Sequence, residues 1–158
     1  MARTKRSRQH ERVRETPAAR YTAEAGRQAL NGVLLDTDVV IEVLRGRRPV
    51  VEALLRLERE GVPTFCTAIT WAEVFAGLRR GEEHVTEEFF AARGEVVLDA
   101  RAGRSAGSYL SAWSRSHGLE LADALIAAAV TTSGLRLWTR NKRHYPMRDI
   151  RFWEPERA

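Results

Sequence analysis

The sequence of 158 residues contains one cysteine, Cys66, and has no long apolar segment. A single cysteine excludes an internal disulfide framework and a cysteine-rich zinc site. The longest stretches without a charged side chain, Gly61–Ala72 and Ala124–Leu135, have 12 residues each, whereas a membrane-spanning helix needs about 20 apolar residues. The basic N-terminus also lacks the apolar core and cleavage site of a secretory signal. These absences predict a soluble cytoplasmic protein.

The formal net charge of +5 lies entirely in the first 32 residues. Residues 1–32 hold eight arginines and lysines against three acids, whereas residues 33–158 hold 18 basic and 18 acidic side chains. Because this first segment has very few large apolar residues, it cannot form a core and is expected to be a disordered or weakly helical basic arm. Such an arm attracts phosphates without regard to sequence. The alternative is a wrongly assigned start codon, with translation beginning at Val33.

From Val33 onward, short apolar runs alternate with helical patterns. The predicted strands are Val33–Leu35, Thr64–Thr67, Val96–Leu98, Leu135–Thr139 and Ile150–Trp153. Helices are predicted between them, including Ala72–Arg80, Arg101–Ser116 and Leu121–Thr132. This alternation predicts an α/β domain over residues 33–155, with a small parallel sheet flanked by helices on both faces.

Three acids are predicted at strand ends or helix starts, where parallel sheets bind their ligands. Asp36 ends the first strand, Glu73 is placed in the first turn of a helix, and Asp123 opens an apolar helix. Each acid also has a structural explanation. Asp36 is a candidate N-cap, Glu73 has the spacing of a capping box with Thr70, and Asp123 suits the positive end of its helix.

Taken together, the three acids predict a cation site. An unpaired charge among apolar neighbours is costly unless it binds a cation or another partner. Convergent carboxylate oxygens are the ligands preferred by Mg²⁺ and Mn²⁺. We expect Asp36 and Asp123 to bind Mg²⁺ directly, and Glu73 to bind it directly or through water. The sequence has no cluster of histidines and cysteines that would favour zinc.

Four segments, in this order, resemble the successive motifs of PIN-domain nucleases, and most closely those of the VapC toxins of bacterial toxin–antitoxin pairs. They are Leu34–Ile41, Thr67–Val74, Leu121–Ala128 and Leu137–Asn141. The resemblance runs from about Val33 to Trp153. It implies a PIN-like, small twisted parallel sheet and a Mg²⁺-dependent endoribonuclease that hydrolyses RNA phosphodiesters. It also implies a homodimer and a cognate VapB-type antitoxin as partner.

The resemblance also implies roles for individual residues. Asp36, Glu73 and Asp123 fall on the family's first three acidic positions and are the candidate catalytic residues. At the fourth position, many relatives carry one or two acids where this chain has Asn141 and His144. Thr37 and Asn141 are candidates for orienting the metal ligands. Four residues beside the last motif are candidates for binding RNA phosphates, although a solvated loop explains them nearly as well: Arg140, Lys142, Arg143 and His144.

Two other functions compete with this interpretation. The missing fourth acid leaves open a catalytically degenerate module that binds RNA or protein without cleaving it. The segment Asp36–Val40 also resembles the opening motif of haloacid-dehalogenase-type phosphatases, in which the first aspartate is a nucleophile. That chemistry needs a lysine followed by an acidic pair, and only scattered acids follow Lys142. Metal-dependent cleavage of RNA distinguishes the nuclease from both alternatives.

Overall fold

The computed structural model describes residues 31–156. The basic arm predicted over residues 1–32 therefore lies outside the described residues, except for Asn31 and Gly32. The arm and the alternative of a wrongly assigned start both stay predictions.

The described residues form a four-stranded parallel sheet with helices between its strands. The order of the strands in the sheet is β3-β2-β1-β4. Along the chain the elements are β1 (Val33–Leu35), α1 (Thr37–Leu44), α2 (Arg48–Arg59), β2 (Thr64–Thr67), α3 (Ala68–Ala76), α4 (Glu83–Ala91), β3 (Gly94–Val96), α5 (Ala100–His117), α6 (Leu121–Ser133), β4 (Arg136–Trp138) and a 3₁₀ turn at Lys142–His144. The predicted α/β architecture is confirmed.

Each face of the sheet has its own apolar core, because side chains alternate between the two faces along a strand. Leu34 of β1 and Leu137 of β4 pack with buried residues of α5 and α6. Val33, Leu35 and Trp138 point to the other face and pack with residues from α1, α2, α3 and α4. Helices therefore cover both faces, as expected from the apolar runs.

Two of the predicted strands are placed differently. The third strand is Gly94–Val96 rather than Val96–Leu98, and Val97 is 73% exposed. The first position of this strand requires a glycine, because a Cβ atom on Gly94 would lie 2.5 Å from the ring of Phe65. The predicted fifth strand, Ile150–Trp153, is reduced to a single bridge between Phe152 and Leu137. Both of its backbone hydrogen bonds to β4 are made by one residue, Leu137, which is too little pairing to form a strand.

The helix predicted over Ala72–Arg80 begins four residues earlier, and this prediction was wrong. Helix α3 starts at Ala68 because Thr67 is its N-cap and the Thr67 hydroxyl accepts a hydrogen bond from the backbone N–H of Thr70. Gly77 follows its last residue. Glu73 therefore lies in the second turn, and the predicted capping box between Thr70 and Glu73 does not form.

The topology brings the ends of β1 and β4 together. The chain adds β2 and β3 on one side of β1 and then crosses to place β4 on the other side. In open parallel sheets, the crevice at such a reversal of strand order is where ligands bind. Asp36 follows β1 and Thr139 follows β4, so both lie at this crevice. Within residues 31–156, no helix is long and apolar enough to cross a membrane.

Candidate functional site

Asp36 lies at the carboxyl end of β1 and is buried, with 8% of its surface exposed. Its Oδ1 accepts a hydrogen bond of 2.8 Å from the backbone N–H of Thr37, so the residue is the N-cap of α1. Its Oδ2 accepts a hydrogen bond of 2.8 Å from the hydroxyl of Tyr145. The sequence allowed a capping role or a ligand role for Asp36; the structure shows the cap and leaves the ligand role as a prediction.

Glu73 reaches the same region from α3, where its side chain is exposed. The Thr37 hydroxyl donates a hydrogen bond to Glu73 Oε2. Because Thr37 directly follows Asp36, this bond places the Glu73 carboxylate beside the first turn of α1. Thr37 thus contacts two of the three candidate acids, Asp36 through its backbone N–H and Glu73 through its hydroxyl.

Asp123 lies in the first turn of α6, as predicted, and is half-buried. Its Oδ2 is 3.4 Å from Nδ1 of His144. Burial raises the pKa of Asp123 above its ordinary value, His144 opposes that rise, and the charges of Asp36, Glu120 and Glu73 add to it. The three candidate acids are therefore close enough for their charges to interact.

The segment after β4 provides hydrogen-bond donors to this region instead of a fourth acid. Asn141 Nδ2 lies 2.8 Å from Nε2 of His144, so Asn141 contacts the residue that contacts Asp123. The four predicted phosphate-binding residues differ in their availability. Arg140 pairs with Glu42, Lys142 pairs with Glu154 and His144 pairs with Asp123. Arg143 is exposed and makes no ion pair within the described part of the chain.

Tyr145 was not identified from the sequence, although it contacts Asp36. Its side chain is buried, with 4% exposed. Burial, together with the nearby charge of Asp36, raises the pKa of Tyr145 above its ordinary value. The hydroxyl therefore stays protonated and donates to the carboxylate. No pattern around an isolated tyrosine indicates such a contact, since its partner lies 109 residues away along the chain.

Asp38 was also missed as a member of this region. Its Oδ2 accepts hydrogen bonds from the backbone N–H of Arg140 at 3.0 Å and from the Thr139 hydroxyl at 3.4 Å. Its Oδ1 is buried and has no hydrogen-bond partner among the described residues. Burial and the charge of Asp36 raise the pKa of Asp38 to about 6. The side chain ties the first turn of α1 to the segment after β4.

The candidate ligands have the right chemistry for Mg²⁺, but they are not arranged around a common point. The candidate ligands all offer oxygen, which Mg²⁺ prefers. Across residues 31–156, no group of three or more histidine, cysteine, aspartate or glutamate side chains is close enough to hold an ion. The side chains of Tyr145, Thr37 and His144 each contact a different acid. A cation at this position would compete with these three contacts and relieve the repulsion among the acids.

Comparisons with known proteins identify the family to which the chain is related. The family model described as PIN domain matches residues 33–150. Ribonuclease VapC19 of Mycobacterium tuberculosis is 30% identical over 115 residues, which are 72% of this chain and 92% of the relative. Ribonuclease VapC10 of the same organism is 31% identical over 116 residues, covering 73% of this chain and 86% of the relative.

A solved structure of DNA-bound VapBC from Salmonella typhimurium has the same fold, with a TM-score of 0.67 at 21% identity, covering 77% of this chain and 96% of the matched chain. The family match spans most of the chain and contains the sheet, the helices and all three candidate acids. This chain belongs to the PIN domain family.

Proposed function

We propose that this chain is a divalent-metal-dependent endoribonuclease that hydrolyses RNA phosphodiesters and acts as the toxin of a toxin–antitoxin pair. The observation that carries the proposal is the arrangement at the reversal point of the sheet: Thr37, which follows Asp36, bonds to Glu73, while Tyr145 and His144, which are adjacent in the chain, contact Asp36 and Asp123. The relatives named ribonuclease VapC support the same activity. Because RNA is the substrate, the proposed place of action is the cytoplasm.

Asp36 and Asp123 would hold Mg²⁺, with Mn²⁺ as an alternative, and Glu73 would bind it directly or through water. Bound Mg²⁺ lowers the pKa of a coordinated water and neutralises charge on the phosphate. Tyr145 orients Asp36, and Thr37 orients Glu73. These two hydroxyls would set the orientation of the two carboxylates before an ion binds.

The acids repel the phosphates of RNA, so substrate binding also needs positive charge from the chain. Arg143 lies within the 3₁₀ turn beside His144 and is exposed without a carboxylate partner among residues 31–156. It is therefore the most available of the basic residues after β4 for a phosphate contact. Arg140 and Lys142 would first have to leave Glu42 and Glu154.

Cleavage of labelled RNA by the purified full chain tests the proposed activity. We expect cleavage with Mg²⁺ or Mn²⁺, none in EDTA, and a loss of at least about 100-fold in Asp36→Asn, since a metal ligand is removed. Asparagine is also a good N-cap, so this variant should fold. Glu95→Gln, which neutralises an exposed acid on the edge strand β3, is the matched control and should keep wild-type activity.

Other outcomes would favour the competing functions. Binding of RNA without metal-dependent cleavage would identify a degenerate binding module. Hydrolysis of a phosphomonoester in place of RNA would favour the phosphatase chemistry. Mg²⁺ should also raise the melting temperature of the wild type but not that of Asp36→Asn, which tests the ion site independently of activity.

We assign the binding of a cognate VapB-type antitoxin to a groove of about 260 Å³ among α1, α3 and α4. Its lining includes the apolar side chains of Ile41, Leu78 and Val85, and it reaches Glu73. A bound antitoxin segment would therefore cover one of the candidate acids. Val85 is 60% exposed, so Val85→Asp should weaken binding of the antitoxin without unfolding the toxin. The expected homodimer is tested by light scattering on the full chain.

A further inference from the structure

A second concave region lies beside the acidic site, between the C-terminal half of α5 and the segment that follows Tyr145. This hollow has a volume of about 580 Å³, within the range of roughly 300–1,000 Å³ that is usual for small-ligand pockets. Its lining residues are Tyr109, Trp113, His117, Pro146, Arg148 and Asp149. None of them has a role in the proposed chemistry at the three acids.

The wall of the hollow is aromatic and is held in place by hydrogen bonds. Tyr109, Trp113 and His117 are spaced four residues apart on α5, so they share one face of the helix. The Tyr109 and Trp113 rings have centroids 5.8 Å apart and are tilted by 43°. The Tyr109 hydroxyl lies 2.7 Å from Asp149 Oδ2 and 3.1 Å from the Thr131 hydroxyl. These contacts join α5, α6 and the segment after Tyr145 into one surface.

The polar side chains that line the hollow differ in whether they are free to bind a ligand. Asp149 is engaged by Tyr109. His117 uses Nδ1 for a contact of 2.8 Å with the Ser116 hydroxyl, while its Nε2 has no partner within residues 31–156. Arg148 is exposed and makes no ion pair in that part of the chain. The hollow thus combines a partly exposed indole with a free guanidinium.

Short stretches of chain link the walls of the hollow to the acidic site. His144 contacts Asp123, and Pro146, two residues later, lines the hollow. On the other wall, His117 is the last residue of α5, and Asp123 lies in the first turn of the next helix. Because two residues span at most about 7 Å, the wall at Pro146 lies next to the acidic site, within reach of an RNA strand bound there.

We infer that the hollow is a subsite for an unpaired nucleotide of the RNA strand next to the cleaved bond, with the base stacked on Trp113 and a phosphate bound by Arg148. This inference rests on the proposed ribonuclease function. Bases stack on aromatic side chains regardless of sequence, and the arginine fork matches phosphate oxygens. Bases in a duplex are already stacked on their neighbours, so the subsite selects single-stranded RNA.

Fluorescence anisotropy with a labelled single-stranded RNA of about 12 nucleotides, a length within the usual span of such sites, tests the inference. The full chain carries Asp36→Asn in every sample, so that cleavage does not interfere. Arg148→Ala and Trp113→Leu are compared with Arg115→Ala, an exposed arginine on the same helix. Arg115 is two residues from Trp113 and faces away from the hollow. The substitution Arg115→Ala removes the same charge as Arg148→Ala.

We expect Arg148→Ala and Trp113→Leu, the two substitutions in the hollow, to weaken RNA binding in different ways. Arg148→Ala should lower the affinity about five-fold and reduce the slope of log affinity against log salt by about 0.7, the value for one phosphate contact to a single strand. Trp113→Leu should lower the affinity about ten-fold with little change in that slope, because stacking is not ionic. Arg115→Ala should change the affinity by less than about two-fold, and a duplex of the same sequence should bind more weakly than the single strand.

Three results would overturn the inference. The first is an equal effect of Arg115→Ala and Arg148→Ala, which would show dependence on net charge alone. The second is equal binding of duplex and single strand. The third is unchanged RNA affinity in both Arg148→Ala and Trp113→Leu, which would show that RNA does not bind in the hollow. Arg148 is exposed, so its variant gives a result even if Trp113→Leu unfolds.

The inference and the proposed function fail in different experiments. If Arg148→Ala and Trp113→Leu lose affinity for RNA but the wild type does not cleave RNA, the proposed nuclease activity is contradicted. The hollow is then still a binding site for RNA. Metal-dependent cleavage by the wild type with unchanged affinity in both hollow variants would keep the activity and remove the subsite.

Discussion

Two parts of the chain contribute opposite chemistry to one site. The helices α1, α3 and α6 provide the acids, and the segment after β4 provides the hydrogen-bond donors. Asp36 and Asp123 lie at a helix N-terminus, and Glu73 lies one turn further into its helix. The segment after β4 contributes no acid; it supplies the hydroxyl of Tyr145 and the imidazole of His144. In this chain, negative charge from helices is therefore offset by donors from an irregular segment.

This difference explains why the acids interact electrostatically without forming a ligand cage. Each carboxylate is oriented by a separate neighbour, and the one closest to the position of the missing fourth acid faces His144. A bound cation would exchange some of these contacts for its own. The four substitutions below alter either the acids or the donors.

The largest effect is expected from Glu73→Gln. The exposed side chain contributes little to packing, and glutamine can still accept the hydrogen bond from Thr37. If Glu73 serves the cation, RNA cleavage should fall by at least about 100-fold with an unchanged melting temperature. Glu87→Gln, an exposed acid on α4, is the matched control. Full activity in Glu73→Gln would restrict this residue to a structural role.

Tyr145→Phe removes a donor and leaves the acids intact. A hydrogen bond to a charged group is worth about 1.5–3 kcal/mol, so the free energy of unfolding in EDTA should fall by about 2 kcal/mol. Part of this loss should return with Mg²⁺, because the cation can take the freed oxygen of Asp36. Urea denaturation with and without Mg²⁺ measures both values.

Tyr109→Phe is the control for that experiment. It removes a hydroxyl that bonds to Asp149 at an exposed position, so the loss of stability should be smaller. It should also be insensitive to Mg²⁺. An equal effect of Mg²⁺ on both tyrosine variants would contradict a link between Tyr145 and the cation.

His144→Asp converts a donor into the missing acid. A further carboxylate facing Asp123 should tighten the site, and the Mg²⁺ concentration for half-maximal cleavage should fall about five-fold. Without metal, the added repulsion should lower the melting temperature. Arg143→Ala also makes the net charge more negative, one residue away, and should leave the Mg²⁺ requirement almost unchanged. A Mg²⁺ requirement that is the same in His144→Asp and wild type would place residue 144 outside the cation site.

The smallest effect is expected from Asp38→Asn, and it depends on pH. The pKa of Asp38 is about 6 in the folded chain and 3.8 ordinarily, so folding takes up a proton between these values. Stability therefore falls as the pH rises from about 4 to about 6. Removing this acid should raise the melting temperature by roughly 3 °C at pH 7 to 8, and the gain should vanish below about pH 4. A gain that is independent of pH would point to altered hydrogen bonding in place of charge.

The sequence predicted the placement of some acids better than others. Asp123 was placed correctly because the apolar helix that follows it has an unmistakable composition. The position of Glu73 was wrong because Thr67 and Thr70 can both cap a helix. The choice between them depends on where β2 ends, and that end is set by the pairing of Thr67 with Val96 in β3. A local pattern contains no information about that pairing.

By itself, the sequence determined which acids are available, the α/β alternation and the covering of both faces of the sheet. Each of these follows from the residue types and their spacing within a few turns or one strand. Only the tertiary structure decided which group meets each acid. Thr37 and Glu73 are 36 residues apart, and Asp36 and Tyr145 are 109 residues apart. Contacts over such separations depend on the order in which the strands pack, because that order brings distant ends of the chain to the same edge of the sheet.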